Sequence, residues 1–586
     1  MIFLRVEPIA KLHAHEKTGI LRSVARAGAS RPNPADGGLP KGAGEEVGSQ
    51  LASKGRFCGA KSFAIGSILI PFVFLAACST PKEKKERCLN ISFHIQPATF
   101  DPRKSGDFIS STLICLVYEG LARCLSDGTV ELALAESVEI SEDKRVYTFR
   151  LKEAFWTDGR RISAYDFESS WKTILNPKFP SLCPYLLYPI QNGEKCAKGE
   201  MDLDQVGVRA LNEKTLQITL ERPTPYFLSL TAFPVFLPVP SDIDRENPEW
   251  EKKLDLIASG PFRIEKMIPN SEIVLVKNES YWNAKNVALD EIHIRIISDE
   301  TTAFQMFERG MIDWMGAPLS PLPPDALEKL KKRQELQFHP CAATTFCAFN
   351  TETFPFSNRH MRKAFSYAIN RKEIVEKVTQ MGQLPATRCL PPTLFKNQNK
   401  ALIPSYAPEV ARIHFEKGLE ELGISKETLN EITLSFKPGQ IDKRVAQTLQ
   451  RHWKKTLGVN VKLQLIDYKT HMHRLHGRDY QISLACWIAQ FHDPINILER
   501  FKDRHNPKNY PGWENERYSK LLDAASFEND LKARFELLEE AEALLADEMP
   551  LAPLYHWSNP SLSSPRLFSL TTTPSGGVLF EKCFVK

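Results

Sequence analysis

A run of sixteen residues without a charge, Ser62 to Ala77, ends at Cys78 and divides this chain into two parts. Lys54, Arg56 and Lys61 stand before the run, and the small residues Ala76 and Ala77 close it. A cationic stretch, a short apolar stretch and small residues before a cleavage point are the three parts of a secretory signal. The alternative is a membrane-spanning anchor, but a span needs about 20 apolar residues, and Pro71 interrupts this one. On either reading everything beyond Cys78 is exported, so the fold is to be sought in residues 78–586.

The sequence Leu75-Ala76-Ala77-Cys78 resembles a bacterial lipoprotein box, which implies that Cys78 becomes a lipidated N-terminus. Residues 51–77 are then the signal peptide. Residues 78–87, polar and rich in Lys and Glu, form a tether between lipid and fold. Residues 1–50 delay the signal far beyond its usual place, and no methionine lies between Met1 and Cys78. The expectation is a disordered or misassigned extension, with translation starting at a non-ATG codon nearer Leu51.

The formal charge of +5 says nothing about a polyanionic partner. Residues 1–77 hold 10 basic and 5 acidic residues, leaving 66 of each sign in the exported part. A balanced chain gives no electrostatic basis for nucleic-acid binding. Ten cysteines remain besides Cys58 and Cys78. They are scattered and form no CxxC repeat, so zinc is not indicated, and pairing is left open.

Strand and helix patterns alternate along the exported part. Leu89–Ile95, Val146–Leu151, Leu216–Leu220, Ile273–Val276, Leu289–Ile297, Asn460–Ile466 and Tyr480–Ala485 read as strands. Helical spacing covers Ile109–Leu121 (with Ser110 and Ser111 as candidate caps), Ala164–Leu175, Glu300–Arg309, His360–Lys377, Pro408–Leu422, Ile441–Leu457 and Leu531–Asp547. The class is α/β.

A series of segments then carries a resemblance. Thr99-Phe-Asp-Pro102, Tyr118-Glu-Gly-Leu121, Tyr147-Thr-Phe-Arg-Leu-Lys152, Trp156-Thr-Asp-Gly159 and Pro223-Thr-Pro-Tyr-Phe227 come first. Ser259-Gly-Pro-Phe262, Asn278-Glu-Ser-Tyr-Trp282, Arg362 to Arg371, Trp487 with Asp493-Pro494, and Pro550-Leu-Ala-Pro-Leu-Tyr555 follow in order. Together they resemble the extracytoplasmic solute-binding proteins of the peptide/nickel class (family 5), and among these the oligopeptide-binding lipoproteins of ABC transporters. The resemblance implies a two-lobed α/β fold of the periplasmic-binding-protein type II kind, with an extra subdomain and two hinge segments between the lobes. Its expected division is lobe I at 88–131, 246–345 and 556–586, the subdomain at 132–245, and lobe II at 346–555. Most of the matching tetrapeptides are turns and aromatic anchors that hold such a fold rather than touch a ligand.

The implied function is capture of oligopeptides between the lobes and delivery to a membrane permease. A cleft that takes arbitrary peptides holds their backbone and termini and leaves room for side chains. In the relatives a segment Trp-x-x-Asp supplies the aspartate for the peptide's α-ammonium; here it reads Trp487-Ile-Ala-Gln490. A neutral amide accepts from an ammonium without neutralising it, so either Asp493 supplies the charge or the amino terminus is recognised differently. Asp493 equally fits a cap for the helix after Pro494. Trp487, Tyr468 and Tyr555 match aromatic positions that border the cleft, with core packing as the other reading for Trp487. Arg474 matches, after a one-residue gap, a cation for the C-terminal carboxylate, whereas a second arginine of close relatives is Leu484 here.

His471, His473 and His476 do not share one helical face and make a poor metal site. Ser169-x-x-Lys172 matches the pattern of penicillin-binding enzymes, but no Ser-Asp-Asn follows and the Lys-Thr-Gly at Lys17 to Gly19 precedes the signal. No Walker motif occurs, so the ATPase and permease are expected on separate chains. The expectation is therefore a monomeric, non-enzymatic, lipid-anchored extracytoplasmic receptor without cofactor. A binder of a non-peptide solute (nickel, another metal chelate or haem) and an exported enzyme or peptide chaperone are the alternatives.

Overall fold

The computed structural model describes residues 87–247, 250–252, 256–395 and 400–586. Cys78 and the signal region lie outside the described residues. One long mixed sheet runs through both lobes. Its order is Lys462–Leu465, Thr433–Phe436, Ile482–Ile488, Gln337–Phe349, Leu551–Ser563, Trp314–Gly316, Cys88–Phe93, Glu291–Ile296, Glu272–Lys277 and Phe262–Ile268, with Leu384–Pro385 added beside Leu551–Ser563.

Alternation builds the lobe I end of this sheet. Cys88–Phe93 and Glu291–Ile296 pair in parallel with Leu89 opposite Ile292 and Ile91 opposite Ile294. All four side chains are fully buried on a common face. A separate four-stranded antiparallel sheet, in the order Ala135–Ile140, Val146–Leu151, Thr215–Thr219, Val208–Asn212, is covered by the helix Ala164–Ile174. Ser163 and Asp166 start that helix with a reciprocal capping box. Lobe II has its own core around Phe349, Phe365, Leu449 and Trp453, whose indole N–H donates to the carbonyl of Phe365.

Gln337–Phe349 and Leu551–Ser563 cross between the lobes as an antiparallel pair. Gln337–Pro340 face Ser558–Ser561, and Phe346–Ala348 face Leu551–Pro553. Between these blocks the register shifts twice, after Pro340 and after Thr345. A bulge disrupts the ladder and bends the strand, and Pro340 contributes no donor. The ladder is therefore interrupted between its two regular blocks.

Two local expectations change. The helix near Ile109 is Phe108–Val117, and its cap is Asp107, whose carboxylate accepts from the Ser110 N–H and hydroxyl, rather than Ser110 or Ser111. The continuous helix expected over His360–Lys377 is broken: Arg359–Tyr367 ends, Asn370 caps a new turn at Arg371–Glu373, and a π-turn follows over Ile374–Thr379. Arg371 is fully buried and donates to the carbonyls of Pro553 and Ser366 and to the Ser366 hydroxyl. A cation that periodicity alone places on a solvated face instead ties this helix to the second crossing strand. No disulfide joins the described cysteines.

Candidate functional site

The lobes enclose a cavity of about 600 Å³. Its lobe I side includes Asp107, Glu119, Arg123 and Glu581, with Tyr185 reaching in; its lobe II side includes Tyr468, Trp487, Gln490, Arg500, Lys508 and Tyr510. The crossing strands contribute Thr345, Tyr555 and Trp557. Trp557 donates from its indole N–H to Thr345 Oγ1 (2.8 Å), which holds the aromatic floor against the hinge.

Trp487 sits near the end of Ile482–Ile488, in register with Thr344 on the first crossing strand. It is 4% exposed and packs against Phe346 (4.2 Å between centroids), Phe501 (5.0 Å) and Tyr510 (5.8 Å). The residue is both core and cavity wall. Tyr468 opens the helix Tyr468–Gly477, capped by Asp467, and half-buried it lines the cavity with His471, Met472 and Leu475 from the same face. That spacing of three and four residues leaves Arg474 off the face. Arg474 lies beside Asp479 (3.4 Å) and does not line the cavity.

Asp493 is also removed from the cavity wall. Its carboxylate meets the Arg534 guanidinium with two bonds (2.8 and 2.9 Å) and accepts from the Ile495 N–H (2.9 Å). Both acceptor oxygens are used at a buried site, so it cannot serve as the substitute for the missing aspartate. Gln490 does face the cavity: its side-chain amide donates to the Tyr185 hydroxyl across the cleft, and its backbone N–H donates to Asn496 Oδ1 (3.2 Å).

Several contacts among the described residues join the walls near this point. Besides Gln490 with Tyr185, the rings of Tyr226 and Phe491 stack at 4.8 Å and 8°, and Arg222 pairs with Glu499 (2.6 Å). Gly128, at φ +83°, lies so close to the His492 ring that a Cβ there would approach it to 2.4 Å. A side chain at 128 would hold the lobes apart at that edge.

The electrostatics of the cavity are asymmetric. On lobe I, burial holds the Glu581 carboxyl up at about 7, with Glu119 adding repulsion. Glu119 is raised by burial too, although Arg123 and the donating Tyr281 hydroxyl oppose the shift. On lobe II, burial pushes the Lys508 ammonium down to about 7, and the neighbouring Arg500 adds to this. Sequence reasoning missed Arg500, Lys508 and Tyr185; nothing in their local pattern distinguishes them from surface residues. The histidine group does not converge: His471 is buried against the Leu484 carbonyl (3.2 Å) and held at about 4 by burial, while His473 and His476 are exposed.

The sequence pattern of the bacterial extracellular solute-binding proteins, family 5 (middle region), matches residues 129–509. The chain is 36% identical over 543 residues to the oligopeptide-binding protein OppA of Bacillus subtilis, covering 90% of this chain and 100% of that one. Among solved structures, the unliganded open form of the periplasmic murein tripeptide-binding protein MppA superposes with a TM-score of 0.75 at 28% identity, over 86% of this chain and 98% of that chain. OppA of Haemophilus influenzae in complex with RPPGFSPFR gives 0.69 at 25% identity, over 86% and 99%. These proteins share the two-lobed α/β fold described above. The chain belongs to family 5 of the bacterial extracellular solute-binding proteins.

Proposed function

We propose that this chain captures oligopeptides in the interlobe cavity and delivers them to a permease and ATPase carried on other chains. The observation that carries this reading is the cavity itself: about 600 Å³, walled by Tyr468, Trp487, Tyr510 and Tyr555, with ionisable groups on both lobes. Aromatic walls make few fixed polar demands, and ionisable groups on both sides can meet the ends of a zwitterionic chain. The end-to-end similarity to an oligopeptide-binding protein supports the same ligand class. On this reading the chain acts by binding and lobe closure.

On this reading lobe I comprises 88–131, 246–345 and 556–586, the subdomain 132–245, and lobe II 346–555, with the hinge at the register shifts of the crossing strands. Trp487, Gln490, Tyr468 and Tyr555 contact the ligand. Cys78 carries the lipid, the chain stands outside the cell membrane as a monomer, and Ser79 to Arg87 is the tether. Gentle purification followed by denaturing mass spectrometry tests the ligand class: released peptides of three or more residues are expected, and a released metal chelate or haem would overturn it. Fatty-acid labelling that survives Cys78→Ala would overturn the anchor.

A further inference from the structure

Arg500 and Lys508 are two cations on one wall of the cavity, and their contacts among the described residues are to carbonyl and amide oxygens and aromatic rings, with no carboxylate within ion-pair distance. Most buried cations of the fold have such a partner: Arg103 pairs with Asp101 and Asp244, Arg388 with Glu542, Arg534 with Asp493, and Arg362 lies 3.6 Å from Glu548. Arg371 has none, but it is fully buried among carbonyls and does not line the cavity. Arg500 is 8% exposed. Its Nε donates to the Asn496 carbonyl (3.1 Å), and Nη2 reaches Asn496 Oδ1 (3.3 Å) and the Ile488 carbonyl (3.4 Å). Nη1 donates to nothing among the described residues, and the guanidinium lies 5.2 Å from the Trp487 ring centre. Lys508 Nζ lies 4.0 Å from the Tyr185 ring centre and donates to no carboxylate.

Asn496 Oδ1 receives both the Gln490 N–H and Arg500 Nη2, so one acceptor fixes the amide and the guanidinium relative to each other. The Gln490 side chain in turn holds Tyr185, under whose ring system Lys508 rests. The wall beside Gln490 is thus built and positively charged, the opposite of what recognition of an α-ammonium needs. A buried charge without a partner is costly, and charge-assisted bonds from guanidinium and ammonium to a carboxylate are among the strongest a binding site makes.

We propose that Arg500 and Lys508, positioned by Asn496, Gln490 and Tyr185, form a pocket that receives a carboxylate of the bound peptide. This rests on the peptide reading above and sharpens it: position 490 of this chain selects an anionic group where an aspartate would select a cation. The carboxylate comes either from the peptide's C-terminus or from an acidic side chain. The depressed Lys508 ammonium is consistent with a charge that lacks its counter-ion until ligand arrives.

Calorimetric titration of the full chain with four probes distinguishes the sources: Ala-Ala-Ala, its C-terminal amide, Ala-Glu-Ala amide and Ala-Gln-Ala amide. Tenfold or greater preference for free acid over amide identifies the C-terminus; the same preference for Glu over Gln identifies the side chain. Lys508→Met is expected to reduce that ratio below threefold, and Gln490→Asp, which supplies an internal carboxylate, to do the same. Circular dichroism of both variants establishes that they fold. Acid and neutral probes bound within twofold of each other by the wild type, or a ratio that both variants leave intact, would overturn the pocket. A wild type that binds none of the probes or longer peptides overturns the peptide reading itself.

Discussion

Replacing Asp493 by alanine separates a structural carboxylate from a ligand-binding one. The side chain is 8% exposed, and its partner Arg534 is 2% exposed. Arg534 Nη1 and Nη2 both donate to Asp493, and Arg534 Nε has no other acceptor among the described residues. The substitution strands a buried guanidinium, which costs about 3–5 kcal/mol, and removes the acceptor for the Ile495 N–H, which costs about 1 kcal/mol. The expected loss is therefore about 4–6 kcal/mol of unfolding free energy, read by urea titration of tryptophan fluorescence. Adding Arg534→Met removes the stranded charge and is expected to recover about half of the loss, since the two sites are coupled. Asp493→Asn keeps the cap acceptor and is expected to fall between wild type and alanine. Peptide affinity of the folded protein should stay within about twofold, because Asp493 does not line the cavity. A stability change below about 1 kcal/mol, together with a tenfold loss of affinity confined to peptides with a free amino terminus, would refute this reasoning.

Further expectations concern pH, the cleft edge and metal. Lys508 is held at about 7, below its unfolded value of about 10.5. The unliganded protein therefore loses stability as pH falls from that value through 7, and Lys508→Met should flatten this slope in urea titrations; an unchanged slope would count against it. Binding a carboxylate restores the charge, so calorimetry in buffers of different ionisation enthalpy should show proton uptake above pH 7. His471 and His556 are held neutral at about 4 and about 3 by burial. Their contribution is complete above pH 6.5 and is lost as pH falls through those values, so His471→Gln should reduce acid sensitivity between pH 6 and 4. Gly128→Val places a side chain against His492 on a backbone at φ +83°, so it should lower thermal stability and, in the protein that still folds, weaken peptide binding at least tenfold through failure of the lobes to meet; unaltered affinity would show that this edge does not approach. His471 is buried away from His473 and His476, so any nickel-induced rise in melting temperature should survive His473→Ala and His476→Ala; a rise of several degrees that these variants abolish would contradict that geometry.

Segments whose chemistry is periodic were legible in the sequence. Val146–Leu151 alternates, and Pro408–Leu422 opens with proline and closes at Gly423 in the left-handed region. The crossing strands were not identified as strands. Leu551–Ser563 contains Pro553 and Pro560, and Gln337–Phe349 contains Pro340, residues that argue against a central strand. Pro340 and Pro553 stand beside the register shifts, where the ladder is interrupted, whereas Pro560 pairs with Phe338 inside a regular block. The break in the helix around His360 leaves no mark in the periodicity, because Arg362 and Arg371 look like a solvated face until the carbonyls of Glu548 and Pro553 are brought to them. At the site, the family pattern led to Trp487 and Gln490, both on the wall. It gave no hint of buried Arg500 and half-buried Lys508, whose significance depends on facing the cavity without a counter-ion. Tyr185 lies 305 residues from Gln490 in sequence, and only the fold joins them.

Calorimetric titration of the purified protein with tri- to pentapeptides, compared with dipeptides and nickel–histidine, tests the central claim most directly. Saturable one-to-one binding of the longer peptides, tighter than either comparison ligand and weakened at least tenfold by Trp487→Ala, is the result expected of an aromatic cavity of about 600 Å³. Absence of peptide binding at high concentration, or tighter binding of nickel–histidine, would contradict it.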